Sequence, residues 1–109
     1  MKYLLLHGQQ TAALAADPGE PPMEWIAVTA DRDVRRGGNR LRPADAQTAA
    51  TVRRRDGETL VTRGPYAELA EEIAGYDLIE TADLDEAIEI ASSHPTLWRG
   101  AIEIRPLAG

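Results

Sequence analysis

The stretch GYDLIETADLDEAIEIASSHP, residues 75–95, decides the fold. Its first part, 75–82, begins at a glycine and is an apolar run typical of a strand. Asp83 is a favourable N-cap residue and Glu86 stands three positions later, which is the capping-box pattern of a helix start. Pro95 ends the helix, because proline cannot continue it. The apolar stripe predicted for this helix consists of Leu84, Ala87, Ile88 and Ala91.

Comparable patterns lie on both sides of this segment. KYLLLHG (2–8) and GAIEIRPL (100–107) predict the first and last strands. Apolar residues at helical spacing predict a helix from Pro22 that ends at Gly37-Gly38. TAATVRRRDGETLVTRG (48–64) predicts a β-hairpin, because Asp-Gly is a preferred pair for a two-residue type I′ turn.

With NRLRP (39–43) as a short extended piece, the predicted order is strand, helix, strand, hairpin, strand, helix, strand. This order predicts an α+β fold: a ferredoxin-like antiparallel sheet with both helices on one face and an inserted β-hairpin. The other face would carry Leu5, Ala101 and either Ile79 or Leu78, depending on the register. Because an apolar uncovered face needs a partner, we expect a homodimer in which two sheets form a dimeric α+β barrel.

Composition limits the classes of function. The 109 residues fit one domain, 1–109, and the absence of cysteine excludes disulfides and thiolate metal sites. The N-terminal apolar run is too short for a signal peptide or a membrane span, so a cytoplasmic protein without a membrane partner is expected. Residues 32–63 are basic, but the net charge of −6 argues against nucleic acid as a partner. The abundance of Ala, Arg and Asp suggests a bacterial source.

Three segments together resemble the YCII-related domain family of DGPF type. They are MKYLLLHG, LRPADAQTAATVRRRDGETLVTRGPYAE and GYDLIETADLDEAIEIASSHPTLWRGAIEIRPL, about three quarters of the chain. The resemblance implies the dimeric α+β barrel. It also implies a protein of uncharacterised activity, in a family that includes a proposed catalytic His–Asp pair and a dehydrochlorinase acting on a hydroxylated aromatic ring. Association with a sigma factor is a further implication, because such genes are often neighbours.

The chain departs from the family pattern at several positions. Arg63 replaces the motif's Asp, Tyr66 replaces its Phe, and Asp77 stands where an aromatic residue is common. His94 replaces an Asp before proline, and residues 20–36 hold no histidine, although the family's catalytic histidine belongs to the first helix. The family's His–Asp pair is therefore not expected in its usual places.

Asp77 and His94 are the candidate catalytic residues. Asp77 in a central strand would be a buried carboxylate, with Arg63 or Arg105 as its partner, whereas at an edge it would only be solvated. His94 could exchange a proton at neutral pH, or it could cap the C-terminus of the second helix as an imidazolium.

Tyr66, Arg63, His7 and Arg105 are the candidate ligand-binding residues. Tyr66 could donate a hydrogen bond to a ligand or cover the core, and His7 could line a cleft or serve packing. No metal and no cofactor are expected, because the chain lacks established nucleotide and metal motifs. We interpret the acids Glu68, Glu71 and Glu72 as a solvated helical turn.

Two classes of function follow. The first is a homodimeric binding or regulatory module for a small-molecule ligand or a sigma factor. The second is a cofactor-free lyase or isomerase on a small, aromatic substrate, in which Asp77 or His94 moves a proton while Arg63 or Arg105 holds an anionic oxygen. Convergence of Asp77, Tyr66 and a histidine on one apolar pocket would favour the second class.

Overall fold

The computed structural model describes residues 1–10, 22–66 and 71–109. Its elements are β1 (Lys2–Gln10), α1 (Met23–Asp31), β2 (Arg35–Arg40), β3 (Ala50–Arg55), β4 (Glu58–Arg63), β5 (Glu71–Glu80), α2 (Leu84–Ser92), a 3₁₀ turn (Pro95–Trp98) and β6 (Gly100–Pro106). Glu68, which the sequence placed in a helical turn, lies outside the described parts of the chain.

Four strands form one antiparallel sheet in the order β2-β5-β1-β6. This order places the first strand and the strand before α2 at the centre, which is compatible with the predicted ferredoxin-like α+β plan. β3 and β4 form a separate two-stranded sheet, as expected for an inserted hairpin. At its tip Asp56 and Gly57 have φ of 50° and 78°, the positive values that a type I′ turn requires.

Both helices cover the same face of the sheet. Leu5 lies opposite Asp77 in β5 and Ile104 in β6, so these three side chains share that face. The core consists of Tyr3, Leu5, Trp25, Val34, Ile79, Ala87, Ile90 and Ala91. The expectation that Leu5 lies on the uncovered face is therefore wrong, and of the two alternatives Ile79 belongs to the covered face.

The uncovered face carries the alternate residues of the central strands. Leu4 lies opposite Leu78, and Leu6 lies opposite Tyr76. The three leucines are only partly exposed, and Tyr76 is 40% exposed. Of the predicted alternatives, Leu78 is the one that belongs to this face.

The first helix is shorter than its sequence pattern predicts. α1 ends at Asp31, and Asp33 has a φ of 54°, which no α-helix can continue. Val34 then enters the core, and the next residues form the edge strand β2. Glycines 37 and 38 therefore lie inside this strand instead of ending the helix.

The second helix begins as predicted but buries a different stripe. Asp83 accepts a hydrogen bond from the Glu86 N–H at 2.9 Å, and the Glu86 carboxylate accepts one from the Ala82 N–H at 3.1 Å, one residue before the usual capping-box donor. The residues that α2 buries are Ala87, Ile90 and Ala91. The predicted stripe residues Leu84 and Ile88 are 47% and 46% exposed, because the core lies on the side of Ile90.

β5 starts earlier than predicted, at Glu71. Glu71 and Glu72 are therefore strand residues paired with β1, and their interpretation as a helical turn is wrong. In the ranges that the structure describes, neither helix has the length and apolar character needed to cross a membrane.

Candidate functional site

Asp77 lies at the centre of a buried cluster of charged and polar groups on the helix-covered face. It is 5% exposed. Its Oδ2 is 2.7 Å from His7 Nε2, and its Oδ1 accepts a hydrogen bond from Arg35 Nε at 2.8 Å. Because a carboxylate only accepts hydrogen bonds, the proton in the first contact belongs to His7 Nε2. Nδ1 of His7 is buried and has no hydrogen-bond partner among the described residues.

The backbone around Asp77 makes room for this ion pair. Gly38 lies opposite Asp77 in the β2–β5 pairing and has a φ of 154°. A Cβ atom at this position would overlap Asp77 Oδ1 and would lie 2.9 Å from Arg35 Nη2. The absence of a side chain at Gly38 therefore allows Arg35 to reach Asp77.

His94 completes the cluster from the loop after α2. It is 6% exposed, and its Nδ1 accepts a hydrogen bond from the Thr96 N–H at 3.0 Å. In the neutral ring the proton is therefore on Nε2, which lies 4.0 Å from Asp77 Oδ2. The ring lies 4.3 Å from the His7 ring and 4.6 Å from the Trp25 ring, centroid to centroid.

Burial keeps His94 neutral. Desolvation lowers its pKa from 6.5 to about 4, and repulsion from a positively charged His7 acts in the same direction, whereas Asp77 opposes both. The earlier alternative, an imidazolium capping the C-terminus of α2, is wrong. His94 is instead the N-cap of the 3₁₀ turn and acts there as a hydrogen-bond acceptor.

These side chains line an open cleft of about 1030 Å³. Its volume is at the upper end of the range for small-molecule sites, about 300–1000 Å³. Trp25 and Trp98 are among its lining residues and contribute apolar surface to its walls. The cleft therefore combines a mostly apolar lining with a few buried polar groups, as ligand sites usually do.

The cluster has the residue types of a metal site but not the right hydrogen bonds. His7, Asp77 and His94 offer ligand atoms within 4.8 Å of one another, and two histidines with a carboxylate can bind iron or zinc. A metal-bound imidazole presents a lone pair on one nitrogen and donates N–H from the other. His94 Nδ1 accepts from Thr96, so Nε2 carries the proton and has no lone pair for a metal. The arrangement fits proton transfer better than metal binding.

Three of the residues singled out in the sequence come together here: His7, Asp77 and His94. The other three lie elsewhere and do not line the cleft. Tyr66 is 79% exposed, with Arg53 5.3 Å from its ring centre. Arg63 ends the exposed strand β4, and Arg105 is exposed and paired with Glu103 at 3.1 Å.

Arg35 was not among the residues predicted from the sequence. Arg63 or Arg105 was expected beside Asp77, and residue 35 was expected inside a helix. The sequence around Arg35 is rich in arginines, but this richness does not indicate which arginine pairs with Asp77. The role of Arg35 became visible only once β2 paired with β5.

The sequence of this chain matches the family model of the YCII-related domain over residues 1–108. The chain belongs to the YCII-related family. It is also 36% identical over 102 residues to an uncharacterised protein of Rhizobium meliloti (strain 1021), covering 90% of this chain and 82% of that protein. In this YCII-related protein the histidine bonded to the buried aspartate comes from β1, not from the first helix.

Proposed function

We propose that this YCII-related protein is a cofactor-free acid–base enzyme, of lyase or isomerase type, that acts on a small molecule in the cleft. The observation that supports this most strongly is the buried chain of contacts from Arg35 through Asp77 to His7, beside a neutral His94. Such chains of titratable groups in a cleft are typical of sites that move protons.

His7 is the general base in this proposal. Its Nε2–H is held by Asp77, so the lone pair is on Nδ1, which is buried; in this proposal Nδ1 accepts the proton of a substrate that displaces the groups covering it. Asp77 stabilises the imidazolium that then forms, as a buried carboxylate does in a catalytic triad. Arg35 fixes the other oxygen of Asp77 and thereby the orientation of the carboxylate.

His94 is the hydrogen-bond donor in this proposal. Its neutral Nε2–H donates to the oxygen on which negative charge develops, as preorganised donors do in an oxyanion hole. The low pKa keeps this group neutral at physiological pH, so it donates a hydrogen bond without carrying a full charge into the cleft. A lyase or isomerase requires a base that removes a proton from the substrate and a donor that stabilises the negative charge left on it.

We propose in addition that the domain, spanning 1–109, acts as a homodimer through the uncovered face of the sheet. The support is the row of Leu4, Leu6 and Leu78 on a face that no described helix covers. An apolar sheet face of this kind is stable when it packs against another. A regulatory role with a sigma factor, the DGPF subtype and a cytoplasmic location remain predictions from the sequence.

The test of the enzyme proposal does not require a known substrate. Ligands that raise the melting temperature of the wild-type protein are incubated with it in D₂O, and loss of their C–H signals is followed by NMR. We expect Asp77→Asn to slow this exchange by about 10²- to 10⁴-fold, the usual contribution of acid–base catalysis. Tyr66→Phe, which lies outside the cleft, is the control and should leave the rate unchanged. Equal rates in wild type and Asp77→Asn would contradict the proposal.

A further inference from the structure

A second group of buried polar atoms lies next to the His7–Asp77 pair, at the end of the sheet where β1 meets the start of β5. Gln9 is 7% exposed, lines the cleft, and has a buried Oε1 for which the described part of the chain supplies no hydrogen-bond partner. Glu72 lies directly opposite Gln9 in the β1–β5 pairing and also has a buried oxygen, Oε1, without a partner. Residues paired in this way project from the same face of the sheet.

The charge of Glu72 is incompletely compensated. Its other oxygen, Oε2, accepts a hydrogen bond from the Ala44 N–H at 2.9 Å. None of the ion pairs found among residues 1–10, 22–66 and 71–109 involves Glu72, whereas Asp77 has Arg35. A buried carboxylate oxygen without a cation or a donor is costly, so these two oxygens are available as acceptors for the donor groups of a ligand.

We infer that Gln9 and Glu72 form a subsite for the protonated primary amine of a small ligand. An ammonium group has three N–H donors and no acceptor, and its positive charge matches the uncompensated carboxylate of Glu72. A cationic ligand also fits the order of residues along β1. Gln9 is two positions from His7 on the same face, about 7 Å along the strand, so a ligand whose ammonium is bound here can place an atom several bonds away beside the base.

This inference rests on the proposed function, and it deepens it by naming the substrate class: a small, mostly apolar molecule that carries a primary amine in addition to the oxygen to which His94 donates. The apolar walls around Trp25 and Trp98 accommodate the rest of such a molecule.

The experiment compares benzylamine with benzyltrimethylammonium, which has the same charge but no N–H donor. Binding at neutral pH is measured by isothermal titration calorimetry and by tryptophan fluorescence. We expect wild type to bind benzylamine with a dissociation constant of about 1 mM or lower. The trimethyl compound should bind roughly 10- to 100-fold more weakly, because it cannot form the charge-assisted hydrogen bonds. Glu72→Gln, which keeps an acceptor for Ala44, should weaken benzylamine to a similar extent.

Glu71→Gln is the matched control, because Glu71 is the adjacent, exposed residue of the same strand and the change in charge is identical. It should leave the affinity for benzylamine unchanged. Gln9→Leu provides a second variant of similar volume and should weaken binding as well, so the inference stays testable if Glu72→Gln does not fold. Melting curves identify any variant that is unfolded.

Three results would overturn the inference: no binding of benzylamine, equal affinity for both compounds, or equal effects of Glu72→Gln and Glu71→Gln. Equal effects of the two Glu→Gln changes would be expected if a rotated Gln9 amide donated to Glu72, or if water occupied the space between Gln9 and Glu72. The results that would contradict the enzyme proposal are different from those that would contradict the amine subsite. If amines bind as expected but Asp77→Asn exchanges C–H protons at the wild-type rate, only the enzyme proposal is wrong. If exchange depends on Asp77 but amines do not bind, only the amine subsite is wrong.

Discussion

The buried imidazole of His94 should make the stability of this protein depend on pH in a specific window. Its pKa is lowered from 6.5 to about 4, mainly by desolvation. Between these pH values the unfolded chain takes up a proton on His94 that the folded chain does not. The free energy of unfolding is therefore higher above pH 6.5 and decreases as the pH falls towards 4. The pKa difference corresponds to about 3 kcal/mol over this window.

The variant His94→Asn isolates this contribution. Asn Oδ1 occupies the place of the imidazole Nδ1 and can accept the hydrogen bond of the Thr96 N–H, but it does not titrate. Urea unfolding of both proteins at several pH values gives the free energy of unfolding. We expect the wild type to lose up to about 3 kcal/mol relative to the variant between pH 6.5 and 4.

NMR titration of the His94 ring measures the same pKa directly. A His94 pKa near the value of a free histidine, or a parallel loss of stability in wild type and His94→Asn, would refute the argument. Either result would mean that water reaches the ring, and the proposed neutral hydrogen-bond donor would lose its basis.

Two further predictions concern the shape of the site and the assembly. Gly38→Ala should lower the free energy of unfolding by about 1–3 kcal/mol and weaken the Arg35–Asp77 contact, because the added methyl group overlaps Asp77. Gly37→Ala, with nothing within 4 Å of its Cβ, is the control, and equal effects of the two changes would contradict the prediction. Leu78→Lys should convert a dimer into a monomer in light scattering at micromolar concentration, whereas Ile88→Lys on the exposed side of α2 should not. A monomeric wild type would rule out the proposed sheet-to-sheet dimer.

Short sequence signals predicted the elements that are stabilised by residues close together in the chain. The Asp-Gly turn and the capping residues at Asp83 and Glu86 determine the hairpin and α2 wherever these lie in the fold. The alternation of Ile102 and Ile104 in the last strand is likewise visible in the sequence. The element order derived from them was enough to predict the α+β plan.

Features that depend on pairing between distant strands could not be predicted in the same way. β2 contains two glycines and three arginines and no apolar alternation, so nothing local marks it as a strand. Its register is also irregular between Arg35 and Gly37. The face occupied by Leu5 depended on where the helices pack, which periodicity does not determine.

In the candidate site too, the residue types could be predicted from the sequence, whereas their arrangement could not. His7, Asp77 and His94 were singled out because their side chains can move protons. Their association, and the role of Arg35, follow from the pairing of β1 and β2 with β5 and from the loop after α2. Gln9 and Glu72 carry no signal in the sequence, since only their pairing across β1 and β5 places two buried acceptors on one face.

The protonation of the two histidine rings tests the central claim most directly, because the whole account requires Asp77 to hold His7 through Nε2–H. Multiple-bond ¹⁵N–¹H NMR of the labelled protein under mildly alkaline conditions identifies which nitrogen carries the proton in each ring. The account predicts a proton on Nε2 of both His7 and His94, and a changed Nε2–H signal of His7 in Asp77→Asn. A His7 ring protonated on Nδ1 instead, or a His7 signal that does not respond to Asp77→Asn, would contradict it.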